Sequence, residues 1–278
     1  MINKRVPLKA LTCLVPLILI FLLFQVAPLI WVVIHGFLDN DSFSLHNFIT
    51  IFTNKLYYQA ITNSLIVSFW SSLIGIILGT LCAYSVHQVG GRVRDVTLSF
   101  SNLTSNFCGV PLAFAFIVVF GLSGVFTLIL KHFGVTNFNI FSLDGIVVIY
   151  SYFQIPLGLL LIYPSMDNIQ SEWKEASSLL GGSGFDYNSK ILLPMLSRPI
   201  LGTFIILFAN AMGAYATAYA LTSGEFNLLT IRIADMISGS IFLQPDMASA
   251  MALILILVLV VISIANHFLL KGSFDEKQ

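Results

Sequence analysis

Residues 11–34 read LTCLVPLILIFLLFQVAPLIWVVI, 24 residues without a single Asp, Glu, Lys or Arg. A helix crosses the hydrocarbon core of a bilayer with about 20 mostly apolar residues, so this stretch points to a membrane span. Five more uncharged runs follow, at residues 60–86, 103–122, 145–163, 200–221 and 247–270. Every charged residue lies between or outside the six runs, the distribution expected when a charge buried in lipid is costly. The expected fold is therefore all-α: a polytopic membrane protein with six transmembrane helices, its membrane domain running over residues 11–270. The basic start ahead of the first run resembles a secretory signal, but the run is long and lacks an obvious small-residue cleavage site. It reads as a retained first helix.

Composition agrees. Only 9% of the 278 residues are charged and 57% are hydrophobic, against about 25% charged in soluble domains, which excludes a water-soluble globule. The 13 Lys and Arg balance the 13 Asp and Glu, so no nucleic-acid partner is expected. Cys13, Cys82 and Cys108 are far apart in apolar runs, with no histidine at ligand spacing; neither a disulfide framework nor a metal site is expected. Lys and Arg are retained on the cytoplasmic side of a membrane. Lys4, Arg5, Lys9, Arg92, Arg94, Lys174, Lys190, Arg198, Lys271 and Lys277 fall in alternate segments, and Lys55, Lys131 and Arg232 stand singly in the others. Both termini, residues 1–10 and 271–278, and the loops at residues 87–99 and 164–199 are thus expected to face the cytoplasm.

Within the spans, Gly75 and Gly79 form a G-x-x-x-G pair that lets a neighbouring helix come close. Pro111 and Pro156 are expected to bend their helices. Residues 125–133 and 228–238 are too short to span and read as amphipathic or partly re-entrant helices.

The loop at residues 164–199 is long for a connector. Ile169, Trp173, Ala176 and Leu180 recur at spacings of 4, 3 and 4, one face of a short amphipathic helix outside the membrane. Gly181-Gly182-Ser183-Gly184 should end that helix in a sharp turn. A second segment, residues 185–193, follows and is expected to stop at Pro194.

Glu175-Ala176-Ser177, three residues, Gly181, nine residues, then Ile191-Leu192-Leu193-Pro194 resembles the EAA motif of bacterial ABC importer permeases, E-A-A-x3-G-x9-I-x-L-P. Ser177 stands where the motif has its second alanine, a small-for-small change. The resemblance extends to six spans, inward termini and the motif between the fourth and fifth helices. It implies the type I ABC importer permease fold, with Glu175, Ala176, Ser177, Gly181, Ile191, Leu193 and Pro194 forming a coupling element that docks on a cytoplasmic ATPase. The sequence contains no G-x-x-x-x-G-K-[ST] phosphate loop, so no cofactor is expected in this chain, and ATP and Mg belong to a separate ATPase subunit. The resemblance further implies a second permease (itself or a homologue), a periplasmic binding protein and surrounding lipid.

Two alternatives meet objections in the sequence. Gly121-Leu122-Ser123-Gly124 and His267 invite an intramembrane hydrolase, but Ser123 and His267 belong to opposite ends of their spans, beyond the hydrogen-bond reach that a dyad requires. Ser183, in the second G-x-S-G, is expected in a solvated loop. An ion-coupled carrier commonly places ionisable residues inside the membrane, and these spans hold no Asp, Glu, Lys or Arg. No catalytic residues are expected. Polar residues within the runs, Asn63, Ser64, Asn106, Gln154, Asn210, Tyr215 and Tyr219, are the candidates for a substrate path. Helix-to-helix hydrogen bonds are the competing explanation for each of them. The 213–217 stretch and the general layout resemble the branch serving polyamines, iron, oxyanions and phosphonates, with polyamine or aminophosphonate ranked first and iron next.

Overall fold

A computed structural model describes residues 8–39, 42–134, 139–238 and 243–275. The expected terminal segments fall partly outside it, at residues 1–7 and 276–278. In chain order the elements are α1 (Leu8–Phe21), a π-turn (Leu22–Val26), α2 (Ala27–Gly36), β1 (Leu38–Asp39), β2 (Ser42–Phe43), α3 (His46–Thr53), α4 (Lys55–Val89), α5 (Gly91–Asn106), α6 (Val110–Phe120) and α7 (Val125–His132). There follow α8 (Leu143–Met166), α9 (Ser171–Leu179), α10 (Gly184–Tyr187), a second π-turn (Asn188–Leu192), α11 (Leu193–Gly213), α12 (Ala216–Thr222), α13 (Leu229–Ser238) and α14 (Pro245–Asp275). Six helical runs among the described residues are long and apolar enough to cross a membrane: Leu14–Gly36, Lys55–Val89, Val110–His132, Leu143–Met166, Gly184–Gly213 and Pro245–Asn266.

The chain divides into two compact units. One comprises Met1–Tyr58 with Arg232–Leu257. Here α1, the π-turn and α2 form one helix. The Ala27 N–H reaches back five residues to the Leu22 carbonyl, and Pro28 follows at once. A proline lacks an N–H and crowds the carbonyl four residues earlier; the wider π-turn makes room for it. β1 and β2 pair antiparallel with Leu38 opposite Phe43. Asn47 donates to the Leu38 carbonyl at 2.8 Å, and His35 Nδ1 lies 2.8 Å from an Asp246 carboxylate oxygen.

The other unit, Gln59–Ile231 with Val258–Gln278, is built around α8, against which α5 and α11 pack. One apolar cluster gathers Val67, Leu112, Ile146, Ile149, Tyr150, Phe153, Ala211 and Ile231, and a second gathers Ile76, Ala83, Leu159, Ile162, Met166, Tyr187, Leu192 and Leu207. α4 approaches α8 backbone to backbone. A Cβ on Gly79 would stand 2.8 Å from the Leu159 nitrogen, and one on Gly158 would stand 2.9 Å from the Gly75 carbonyl oxygen. The close approach expected of Gly75 and Gly79 is thus present, with α8 as the neighbour.

Several local expectations change. The loop expected at residues 87–99 is helical apart from Gly90, where Gly90 and Gly91, with φ of +62° and +56°, turn α4 into α5. The run 103–122 is not one helix: it divides at residues 107–109, and Pro111 sits in the first turn of α6, where its missing N–H is no loss, instead of bending a continuous helix. The run 200–221 divides at Ala214 and Tyr215. Pro156 lies inside the continuous helix α8. Pro194 does not stop the segment 185–193: the second π-turn, with the Leu193 N–H bonded to the Asn188 carbonyl, accommodates it as the first accommodates Pro28. α10 therefore runs through into α11.

Candidate functional site

The elbow between α9 and α10 is set by short-range chemistry. α9 ends in a Schellman turn: the Gly181 N–H donates to the Ser178 carbonyl at 3.0 Å and the Gly182 N–H to the Ser177 carbonyl at 2.9 Å, satisfying carbonyls that a helix end leaves bare. Gly181 has φ +79°, which L side chains rarely adopt. A Cβ on Gly182 would lie 2.7 Å from Ser177 Oγ, so both glycines are required. Two residues later a capping box opens α10. The Asp186 N–H donates to Ser183 Oγ at 3.2 Å and the Ser183 N–H to Asp186 Oδ2 at 3.1 Å. Lys190 Nζ meets Asp186 Oδ1 at 2.6 Å.

The motif residues take distinct places here. Trp173 and Ile169 pack on the cluster around Tyr187 and Leu192, but Ile169 precedes α9, and Leu180, expected on the same packed face, is 89% exposed. Leu179 and Phe185 are bare as well, at 87% and 80%. A groove of about 670 Å³ runs between the two arms, lined by Trp173, Ala176, Ser177, Leu180, Gly181, Asp186, Lys190 and Ile191 among others. Glu175 points outward, and among the described residues its carboxylate has no partner. Leu193 is exposed, whereas Leu192, absent from the sequence candidates, is the buried anchor. Asp186 and Lys190 were also absent from them. The S-x-x-D pattern at Ser183 and the i, i+4 charge pair are the signals that would have found both.

A second feature lies where the two broken runs meet. A cavity of about 840 Å³ is lined by Asn102, Ser105, Asn106, Cys108 and Gly109 from the first break, by Phe153, Leu157 and Leu160 of α8, and by Ala209, Asn210, Gly213, Ala214, Tyr215, Ala216 and Thr217 from the second. Backbone groups released by a break within an apolar run must find partners. The Gly109 N–H donates to Thr217 Oγ1 at 2.8 Å, and the Tyr150 hydroxyl donates to the Ala214 carbonyl. Irregular backbone at such depth is tolerated where it lines a cavity.

Of the seven candidate path residues, Asn106, Asn210 and Tyr215 come together in this cavity. Gln154 is fully buried behind it. It donates to the Leu207 carbonyl at 2.7 Å and accepts from Asn210 Nδ2 at 3.4 Å. Asn63 donates to the Asn227 carbonyl at 3.0 Å, and Ser64 Oγ accepts the Leu229 N–H at 2.8 Å, in the first turn of α13; neither lines the cavity. The Tyr219 ring lies 5.2 Å from the Tyr215 ring, tilted by 34°, and is likewise outside the lining. Asn102, Ser105 and Cys108 join the site unanticipated, because their position depends on where the helices break.

Comparison with known proteins adds the family. Residues 75–272 match the family described as binding-protein-dependent transport system inner membrane component. The ferric transport system permease protein FbpB of Actinobacillus pleuropneumoniae is 23% identical over 239 residues, covering 85% of this chain and 34% of that protein, so the chain spans about a third of that relative's length. The spermidine/putrescine transport system permease protein PotB of Haemophilus influenzae is 22% identical over 205 residues, 70% of this chain and 71% of PotB. In fold, the chain is similar to a solved bacterial ABC transporter involved in the import of the acidic polysaccharide alginate, with TM-score 0.75, 18% identity and 94% of each chain covered. These findings replace the hydrolase and ion-coupled carrier alternatives with a transport subunit. With six apolar runs and a family match over most of its length, the chain belongs to the binding-protein-dependent transport system inner membrane components.

Proposed function

We propose that residues 164–199 face the cytoplasm and that the elbow between α9 and α10 docks this permease on a separate ATPase subunit. The termini lie on the same side, as the Lys and Arg distribution requires. The observation that carries the docking role is the elbow. Its Schellman turn and capping box stiffen the joint between α9 and α10, and that joint presents Leu179, Leu180 and Phe185 almost wholly bare. Adjoining large apolar side chains this exposed mark a surface that a partner covers. ATP and Mg belong to that partner. A second permease (a copy or a homologue) completes the path, a periplasmic binding protein delivers the cargo, and lipid surrounds the spans.

The cavity at the two helix breaks is this chain's share of the path, with Asn106, Asn210 and Tyr215 facing the cargo and Gln154 holding Asn210 in place. Relatives named for ferric and spermidine/putrescine transport support a small polar solute: a polyamine or aminophosphonate, then ferric iron or an oxyanion.

Leu180→Asp combined with Phe185→Asp is expected to lower the ATPase subunit recovered with the purified permease by about tenfold, since bare apolar anchors dominate such interfaces, while the permease still accumulates in the membrane. Recovery at the parental level would overturn the docking role. Tyr215→Ala is expected to change uptake by about fivefold, the effect of removing one aromatic contact, with ATPase recovery unchanged. Parental uptake kinetics would remove Tyr215 from the path.

A further inference from the structure

Where α8 ends, Asp167 draws together three elements. One carboxylate oxygen lies 3.3 Å from an Arg94 guanidinium nitrogen of α5, and the other lies 3.6 Å from His87 Nδ1 in the last turn of α4. Arg94 also lies over the Tyr163 ring, 5.2 Å from its centroid, and its Nε is buried without a hydrogen-bond partner. Asp167 is the residue that closes α8, where the helix dipole disfavours a carboxylate. Ion pairs as exposed as this one contribute little to stability. A carboxylate in an unfavourable place, held by an arginine with a stranded nitrogen, is poorly explained by stability alone.

Its position supplies another account. Only residues 168–170 separate Asp167 from α9, and they are tied down: Asn168 donates to the Pro164 carbonyl at 3.2 Å and the Ile169 N–H to the Met166 carbonyl at 3.0 Å. On the other side of the pair, Arg94 stands in the first turn of α5, and the same helix carries Asn102, Ser105 and Asn106 of the cavity wall. At 1.5 Å per residue, Arg94 and Asn102 are about 12 Å apart along one rigid rod. α11 already joins α10 directly to the opposite wall at Asn210. The near wall has no such direct covalent route: from the loop the chain reaches α5 only by passing back through α8, α7 and α6.

We propose that the Asp167–Arg94 pair is a positioning link that fixes α5, and with it the cavity wall at Asn102 and Asn106, to the movement of α9. Asp167 and Arg94 act through α5 and do not touch the cargo. This rests on the docking role of the elbow between α9 and α10, and packed helices joined by an ion pair are one physical route by which such coupling travels.

The test uses the whole importer reconstituted in vesicles, reading solute imported per ATP hydrolysed together with the ATPase subunit retained. Asp167→Asn and Arg94→Met are each expected to lower solute per ATP by about fivefold, with ATPase retention and membrane accumulation unchanged. Asp167→Glu, which keeps the charge, is expected to restore the ratio to within about twofold of parental. The double variant Asp167→Asn/Arg94→Met is expected to be no worse than either single one, because the two act as one unit. An unchanged ratio in Asp167→Asn, a multiplicative fall in the double variant, or loss of the ATPase subunit would each overturn the link. The docking role fails separately, by ATPase retention in Leu180→Asp/Phe185→Asp, whatever Asp167→Asn does.

Discussion

Gly181→Val is expected to reduce uptake and binding-protein-stimulated ATP hydrolysis about tenfold or more, with the protein still inserted in normal amount. Gly181 has φ +79° and open space around the position a Cβ would take, so a new side chain meets no neighbour. The whole effect comes from the backbone: holding a β-branched residue in the left-handed region costs about 1–3 kcal/mol, comparable to what keeps a short helix joint in one geometry. The chain relaxes by abandoning the Schellman turn, and Leu179, Leu180 and Phe185 then lose their fixed arrangement. Gly181→Asn separates this from a general loss of function, because asparagine tolerates the left-handed region; it should retain most uptake. Uptake in proteoliposomes, normalised to inserted permease, decides. Equal uptake by the valine and asparagine variants would show that the joint's geometry does not matter.

Gly79→Leu is expected to abolish accumulation of folded permease in the membrane. The atoms a Cβ would strike are the Leu159 nitrogen, the Gly158 carbonyl carbon and the Ile155 oxygen, at 2.8, 2.9 and 3.0 Å. All three are backbone, so no rotamer change relieves the clash, and α4 must separate from α8 along the seam that organises both clusters. Overpacking between side chains costs about 1–3 kcal/mol; between two backbones the cost exceeds that. Gly202→Leu is the control, since nothing lies within 4 Å of a Cβ there, and that variant should accumulate normally. Comparing detergent-extracted protein by size-exclusion chromatography measures both. A monodisperse Gly79→Leu peak at parental yield would refute the account.

The six spans are legible in the sequence because lipid excludes charge so strongly that 26 charged residues, 13 of each sign, avoid six runs. The α4–α8 seam is legible for a similar reason: Gly75 and Gly79 serve little purpose on one helix face except close approach. The glycine turn of the elbow is local chemistry and also reads directly. The helix breaks at residues 107–109 and at Ala214 do not, because hydropathy averages over a window and both breaks sit in apolar surroundings. What stabilises them is Thr217 bonding Gly109 across 108 residues and Tyr150 bonding Ala214 across 64, pairings that no local pattern reveals. Pro194 misled for a related reason. Proline ends a helix when the preceding turn is α, and a five-residue π-turn before it removes the conflict. The place of Leu192 as anchor follows from the same π-turn, which shifts by one residue the side that faces inward.

The residues lining the cavity, among them Asn102, Asn106, Asn210, Tyr215 and Thr217, carry amide and hydroxyl groups and no formal charge. If this cavity is the chain's share of the path, as proposed, it provides no fixed counter-ion, and the transmembrane voltage acts there on the charge of the cargo itself. At 100 mV, inside negative, each positive charge entering gains about 2.3 kcal/mol and each negative charge loses as much. A polycation crossing here would have its import assisted electrically, one increment per amine, whereas an oxyanion would have to draw the same increments from ATP.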